Sequence, residues 1–301
     1  MKPKWQKHPE RGSFWLTKFI VWLSLKTGRH VGRLLLYPIS AYFCLFSSER
    51  RAASRDYLTT ILGRRAGPAQ IYRHYLTYAR VLLDRVFFLT GRMDEFNIVI
   101  SEREVVDELL ANGQGFIFLG AHQGSFDVLR VLGASRPEMN VKVMMYSDNS
   151  KRITSLMNSL NPALSRNIIR LGRPNAMLHA KQHVEEGGII GLLGDRITKG
   201  DKLVRSTFLG RPADFPAGPM LLARMLKVPV VLFYGLYLGG DRYEVHFELF
   251  ADRIVTTTNK RHDSLQLMID HYATRLGHFC RREPYNWFNF YDFWDVSDTT
   301  P

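Results

Sequence analysis

Along most of this chain, short apolar runs alternate with segments of helical periodicity. Between residues 69 and 89, Ile71, Tyr72, Tyr75, Leu76, Ala79, Leu82, Leu83, Val86 and Phe87 recur at helical spacing, with Arg73, His74, Arg80 and Asp84 on the other side. That pattern predicts an amphipathic helix. Apolar runs follow at 116–119, 141–145, 168–171, 189–193 and 228–237, bounded in most cases by glycine or polar residues, as buried strands are. Helix-like stretches at 126–132, 150–160, 175–186 and 218–226 lie between them. The alternation predicts an α/β fold, a largely parallel central sheet flanked by helices. Residues 243–249 alternate apolar and polar positions and predict a strand with one wetter face, and 264–280 reads as a long helix.

Two further apolar stretches, 14–25 and 34–46, come first. Lys2, Lys4, Lys7 and Arg11 precede them; Lys18 and Ser24 interrupt the first, Pro38 and Ser40 the second. Neither reaches the roughly 20 apolar residues that comfortably span a bilayer. A shallow helical hairpin or an interfacial helix is expected, with the basic flank on the cytoplasmic side. No small-residue cleavage site follows, so a removable signal peptide is not expected. The competing reading packs both segments on the domain as amphipathic helices. A boundary near residue 50 divides a basic, apolar, membrane-associating region (1–49) from the main domain (50–301); no internal repeat is visible.

Composition narrows the partners. The chain has 301 residues and a formal charge of +13, enough length for one sizeable α/β domain plus an appendage. The excess of positive charge implies an anionic partner: nucleic acid, an acidic membrane surface or an acidic carrier protein. Cys44 and Cys280 are the only cysteines and belong to no ligand pattern, so neither a disulfide framework nor a zinc site is indicated.

Open parallel sheets place ligands beyond the carboxyl ends of their strands. The residues just past the apolar runs form a coherent set: His122 and Asp127 after the first, Arg170, Gly172 and Arg173 after another, Gly194, Asp195 and Arg196 after a third. Four residues separate His122 from Asp127. They form a close pair only if the histidine lies on the strand-to-helix turn and the aspartate in the first helical turn. An aspartate there can hold one imidazole nitrogen and leave the other free to take a proton from a hydroxyl. Backbone N–H groups around Gly124, or a nearby arginine, are candidates to meet an oxyanion. An acid in a first helical turn beside an incidental histidine is the bland alternative. His179 and His183, one helical turn apart, lack an evident third ligand and read as a solvated helix face.

The order of these motifs resembles the HX4D acyltransferase superfamily, which includes glycerophosphate and lysophospholipid acyltransferases and the lipid A late acyltransferases. Block one is His122 to Asp127, block two Ile168 to Arg173, block three Leu192 to Arg196, and block four the run Val228 to Phe233 that begins with Pro229. Residues 208–219 also resemble the bacterial lipid A branch. That branch commonly carries glutamate where this chain has Asp127, and often asparagine where it has Ala121. The ending 284–294 departs from the basic ending usual in enzymes that acylate lipid A, and is similar to a subgroup often associated with polyene or other specialised lipids.

The resemblance implies a glycerophosphate acyltransferase-like fold and transfer of a fatty acyl group from a thioester to a hydroxyl of a lipid. The donor would be carried on acyl carrier protein or, second, on coenzyme A. His122 and Asp127 would be catalytic, with Gly124, Ser125, Arg173, Asp195 and Arg196 at the substrates. No metal, cofactor or nucleic acid would be needed, and the enzyme would work on the cytoplasmic face of a bacterial inner membrane. Acylation of an aryl polyene or a lysophospholipid is the alternative within the class. A non-catalytic basic membrane-binding protein is the alternative outside it. A serine hydrolase is disfavoured, because no Gly-x-Ser-x-Gly elbow occurs.

Overall fold

In the computed structural model the described residues are 14–136, 138–146, 160–161, 167–172, 174–198, 200–252 and 261–294. The strands are β1 (Asn97–Ser101), β2 (Phe116–Gly120), β3 (Val141–Tyr146), β4 (Ile168–Leu171), β5 (Ile189–Leu193), β6 (Leu203–Phe208), β7 (Arg211–Pro216), β8 (Val230–Gly239) and β9 (Arg242–Ala251). Seven of them form one sheet in the order β1-β9-β8-β2-β5-β3-β4, and β6 pairs with β7 in a separate hairpin. Strands β8, β2, β5, β3 and β4 run parallel, whereas β9 opposes β8 and β1 runs with β9.

The helices are α1 (Phe14–Thr27), α2 (Arg29–Phe46), α3 (Ser48–Leu62), α4 (Pro68–Leu89), α5 (Glu104–Ala111), α6 (Asp127–Ser135), α7 (Ala176–Glu185), α8 (Gly218–Leu226) and α9 (Arg261–Arg282). They cover both faces of the sheet. In β2, Phe116 and Phe118 join the core shared with α4, α5 and α6, while Ile117 and Leu119 join the core under α3, α7, α8 and α9. A strand's side chains alternate between faces, so burial of every β2 residue requires helices on both sides. The wetter face of β9 is turned to α9, where Arg275 donates to Glu248 at 2.6 Å and Arg282 pairs with Glu244.

The five apolar runs became β2, β3, β4, β5 and β8, within two residues of the expected bounds. Four elements were not expected: α3, α5, β1 and the β6-β7 hairpin. Strand β1 is a short edge strand with Val99 exposed, and carries little burial pattern to read. Apart from Leu160, the helix expected at 150–160 lies outside the described residues.

The two N-terminal apolar stretches are α1 and α2, packed against each other and, through α2, along α4. At their contact, a side chain on Gly32 would place its Cβ 2.1 Å from Ser24 Oγ. An ion pair ties the hairpin to the domain: Arg33 donates to the fully buried Asp84 of α4 at 2.7 Å, and Tyr243 Oη donates to the same oxygen at 2.9 Å. The outer side stays apolar, with Trp15, Phe19, Trp22, Leu34, Leu45 and Phe46 all exposed. Among the described residues no single helix is long and apolar enough to cross a membrane; α2 and α3 pass that test only together, across a 97° bend.

Candidate active site

Strands β2 and β5 are neighbours in parallel register, with Gly120 opposite Leu193. The pairing continues one residue on, where Gly194 N donates to Gly120 O at 3.0 Å. His122 and Asp195 each stand two residues past the strand end, and their side chains meet. Asp195 Oδ1 lies 2.7 Å from His122 Nδ1, and Asp195 Oδ2 accepts the His122 backbone N–H at 3.0 Å. Two more donors reach Oδ2 from the C-terminal segment: Trp287 Nε1 at 3.0 Å and Asn289 Nδ2 at 3.3 Å.

Asp195 is wholly buried. Burial alone would raise its pKa, but the adjacent His122, the hydrogen bonds to it and the Arg196 guanidinium together hold it at about 2. It is therefore a carboxylate at neutral pH and only an acceptor, so Nδ1 of His122 carries the proton and Nε2 carries the lone pair. The imidazole is 29% exposed. Burial and the Arg196 guanidinium hold its pKa below the usual 6.5, against the opposing pull of Asp195. A neutral imidazole with its lone pair on Nε2, in a partly exposed ring, can act as a general base.

The sequence expectation for Asp127 is corrected. It is the first residue of α6, where helical spacing placed it, but its Oδ2 lies 2.7 Å from Arg85 Nε of α4. The ring nitrogen it was expected to hold is taken by Asp195, because register between adjacent parallel strands delivers that carboxylate directly. Asp127 ties the start of α6 to α4.

The remaining candidates divide. Asp195, expected at a substrate, sits behind the histidine with no exposed surface. Arg196 donates from Nε to Asn289 Oδ1 at 3.0 Å and from a terminal nitrogen to Phe288 O at 2.9 Å, which fixes its charge beside the imidazole. Arg173 lies outside the described residues. The N–H groups of Gly124 and Ser125 are spent on the scaffold, donating to Asn286 O at 2.8 Å and Gly235 O at 2.7 Å. They cannot also meet an oxyanion. Gly124 is irreplaceable by a larger residue: its φ is +62°, and a Cβ would fall 1.9 Å from Gly235 O. Ser125 is buried, and its Oγ lacks a hydrogen-bond partner among the described residues.

His183 does not lie on a solvated face. It is buried, with Nε2 within 3.0 Å of Asn140 O and 3.2 Å of Ile189 O. Among the described residues, no three His, Cys, Asp or Glu side chains gather as a metal site would require.

From sequence, the C-terminal aromatic cluster reads as an acyl-channel lining, a membrane-interface element or packing against the sheet; its hold on the catalytic pair was not foreseen. Trp287 and Asn289 hold the carboxylate, and Phe288 N donates to His122 O at 2.8 Å. The available signal was two polar donors, Asn286 and Asn289, inside an otherwise aromatic run.

The sequence profile described as bacterial lipid A biosynthesis acyltransferase matches residues 2–295. No curated protein matches the chain. With a match over nearly its whole length, the chain belongs to the bacterial lipid A biosynthesis acyltransferase family, and it is an acyltransferase.

Proposed function

We propose that the protein transfers a fatty acyl group from a thioester on acyl carrier protein, or on coenzyme A as the second choice, to a hydroxyl of a membrane lipid, with His122 as the base. The observation that carries this reading is the contact of His122 Nδ1 with the Asp195 carboxylate, which leaves Nε2 available at a partly exposed ring. The acceptor hydroxyl gives its proton to Nε2 as its oxygen attacks the thioester carbonyl. The carbon–sulfur bond then breaks, and Nε2 returns the proton to the leaving thiolate, so the products are an ester and a thiol. Asp195 keeps Nδ1 protonated and stabilises the imidazolium that forms between the two transfers. The Arg196 guanidinium supplies positive charge beside the reacting oxygen.

The acceptor is lipid A, a biosynthetic relative of it, or a specialised lipid such as an aryl polyene; the aromatic ending at 284–294 supports the last. Attachment is to the cytoplasmic face of a bacterial inner membrane, through the apolar outer side of α1 and α2. Trp15, the most exposed of these residues at 77%, and Trp22 at 57% suit the headgroup level, where amphipathic rings settle.

Purified protein mixed with acyl carrier protein thioester tests this reading, with and without a hydroxylated lipid in vesicles. Thioester consumption that depends on the lipid and yields an acylated lipid is expected. Consumption at the same rate without lipid would make the protein a hydrolase, and substitution of the carrier by coenzyme A ranks the donors.

A further inference from the structure

The C-terminal segment reaches the active site as a strap clamped on three sides. Its backbone pairs with the loop that carries His122, through Phe288 N to His122 O and Gly124 N to Asn286 O, both 2.8 Å. The Asn286 amide completes β8: its Oδ1 accepts Tyr237 N at 2.8 Å and its Nδ2 donates to Tyr237 O at 3.1 Å. From the opposite side, His74 of α4 lies fully buried with Nε2 2.8 Å from Trp287 O and Nδ1 2.8 Å from Ser54 Oγ of α3. Rings of Tyr57, Phe208 and Phe293 surround the Trp287 indole, with centroids within 5.2 Å. Packing of this kind leaves the indole one orientation.

That orientation aims Nε1 at Asp195. Here the two oxygens have separate tasks: Oδ1 faces His122 Nδ1, while Oδ2 accepts Trp287 Nε1 together with the His122 N–H and Asn289 Nδ2. The indole N–H comes from 92 residues along the chain and is, at 3.0 Å, the shorter of the two side-chain hydrogen bonds that the strap makes to Oδ2. We propose that Trp287 is a positioning residue for acyl transfer, its N–H holding Asp195 Oδ2 and so setting the charge that Oδ1 presents to His122 Nδ1. The strap is in this way a structural part of the active site. The inference rests on His122 being the base.

Loss of the N–H leaves more negative charge on the carboxylate oxygens and favours the imidazolium, so the His122 midpoint moves up. The other ionisable groups around the pair are Arg196, Tyr234, Tyr272, Cys280 and Tyr291. None of them changes when only the indole N–H is removed.

The test is a titration of full-length protein labelled with 13C at histidine Cε1, with the His122 resonance identified by its loss in His122→Ala. Trp287→Phe removes the donor, and benzothienylalanine at position 287 removes it while keeping the bicyclic shape. The expected result in each folded variant is a His122 midpoint raised by about half a unit or more, with a lowered kcat for acyl transfer and KM unchanged. An unmoved or lowered midpoint overturns the proposal whatever happens to activity, since a merely structural tryptophan would not raise it. If Trp287→Phe does not fold, the isosteric variant decides alone. The titration reads the coupling without substrate, so a protein that transfers no acyl group fails the functional reading and leaves this result standing.

Discussion

His122 and Asp195 occupy equivalent positions on two adjacent parallel strands, each two residues beyond the last register pair, Gly120 and Leu193. The relationship distinguishes two aspartates that sequence spacing alone would rank the other way. Asp195→Asn removes the anion and lets an amide N–H face Nδ1, which favours the wrong tautomer. Acyl transfer is expected to fall about 10²-fold or more. Asp127→Asn breaks the tie to Arg85 instead; it is expected to cost about 1–3 kcal/mol of stability and to reduce transfer less than Asp195→Asn does. Steady-state rates and thermal melts of both variants, side by side, check the assignment.

Histidines held neutral by the fold set the acid limit. His74, fully buried against Ser54 and Trp287, has its pKa pushed down from 6.5 to about 4 by burial. The unfolded chain binds that proton more readily, so stability is whole above pH 6.5 and declines as the pH falls to the folded value. At about 1.4 kcal/mol per unit, His74 accounts for about 3 kcal/mol of that loss. Asp195 acts lower down: held at about 2 against an ordinary 3.8, it stabilises the fold above pH 3.8 and ceases to as the pH approaches 2. The melting temperature should be flat near neutrality and fall below pH 6.5, with a shallower fall in His74→Gln. Because His122 is also depressed, the acidic limb of kcat/KM should lie below 6.5.

Gly124→Ala tests the loop geometry. The new Cβ would meet Gly235 O at 1.9 Å, at a φ of +62° that side chains rarely adopt. Either the loop moves off β8 or the protein is destabilised, and in both cases transfer is expected to fall at least as far as with Asp127→Asn. Activity assays paired with melting curves show which happens.

The exposed apolar side of the N-terminal hairpin makes its own prediction. Trp22 and Leu34 are both more than half exposed, on α1 and α2, so Trp22→Glu with Leu34→Glu should leave the fold intact. Each buried aromatic or leucine side chain is worth about 1.5–3 kcal/mol in an apolar phase. Flotation with anionic vesicles should show binding weakened by 10-fold or more in the double variant, with circular dichroism unchanged.

Much of the frame was legible in sequence. The runs at 168–171 and 189–193 match β4 and β5 residue for residue, and 218–226 matches α8; the buried strand β5 and the amphipathic α8 carry strong patterns. Edge strand β1 and the charged hairpin β6-β7 carry weak ones. His122 and Asp195 were both legible as residues beyond strand ends, yet their contact was not. It depends on β2 lying beside β5 with β3 and β4 displaced to the sheet edge, a neighbour relation that no local spacing encodes. Trp287 was hidden for the same reason: its partner is 92 residues away, and an aromatic run reads as packing until one of its N–H groups is seen on a buried carboxylate.

Mass spectrometry of membrane lipids from cells making either the natural protein or His122→Ala is the most direct measurement of the central claim, that a neutral imidazole braced by Asp195 removes the acceptor's proton. The variant protein must be present at equal level, with an unchanged melting temperature. An acylated lipid species that appears with the natural protein and drops by about 10²–10⁴-fold with His122→Ala is the predicted result. The same species at equal abundance in both lipid extracts would contradict the account.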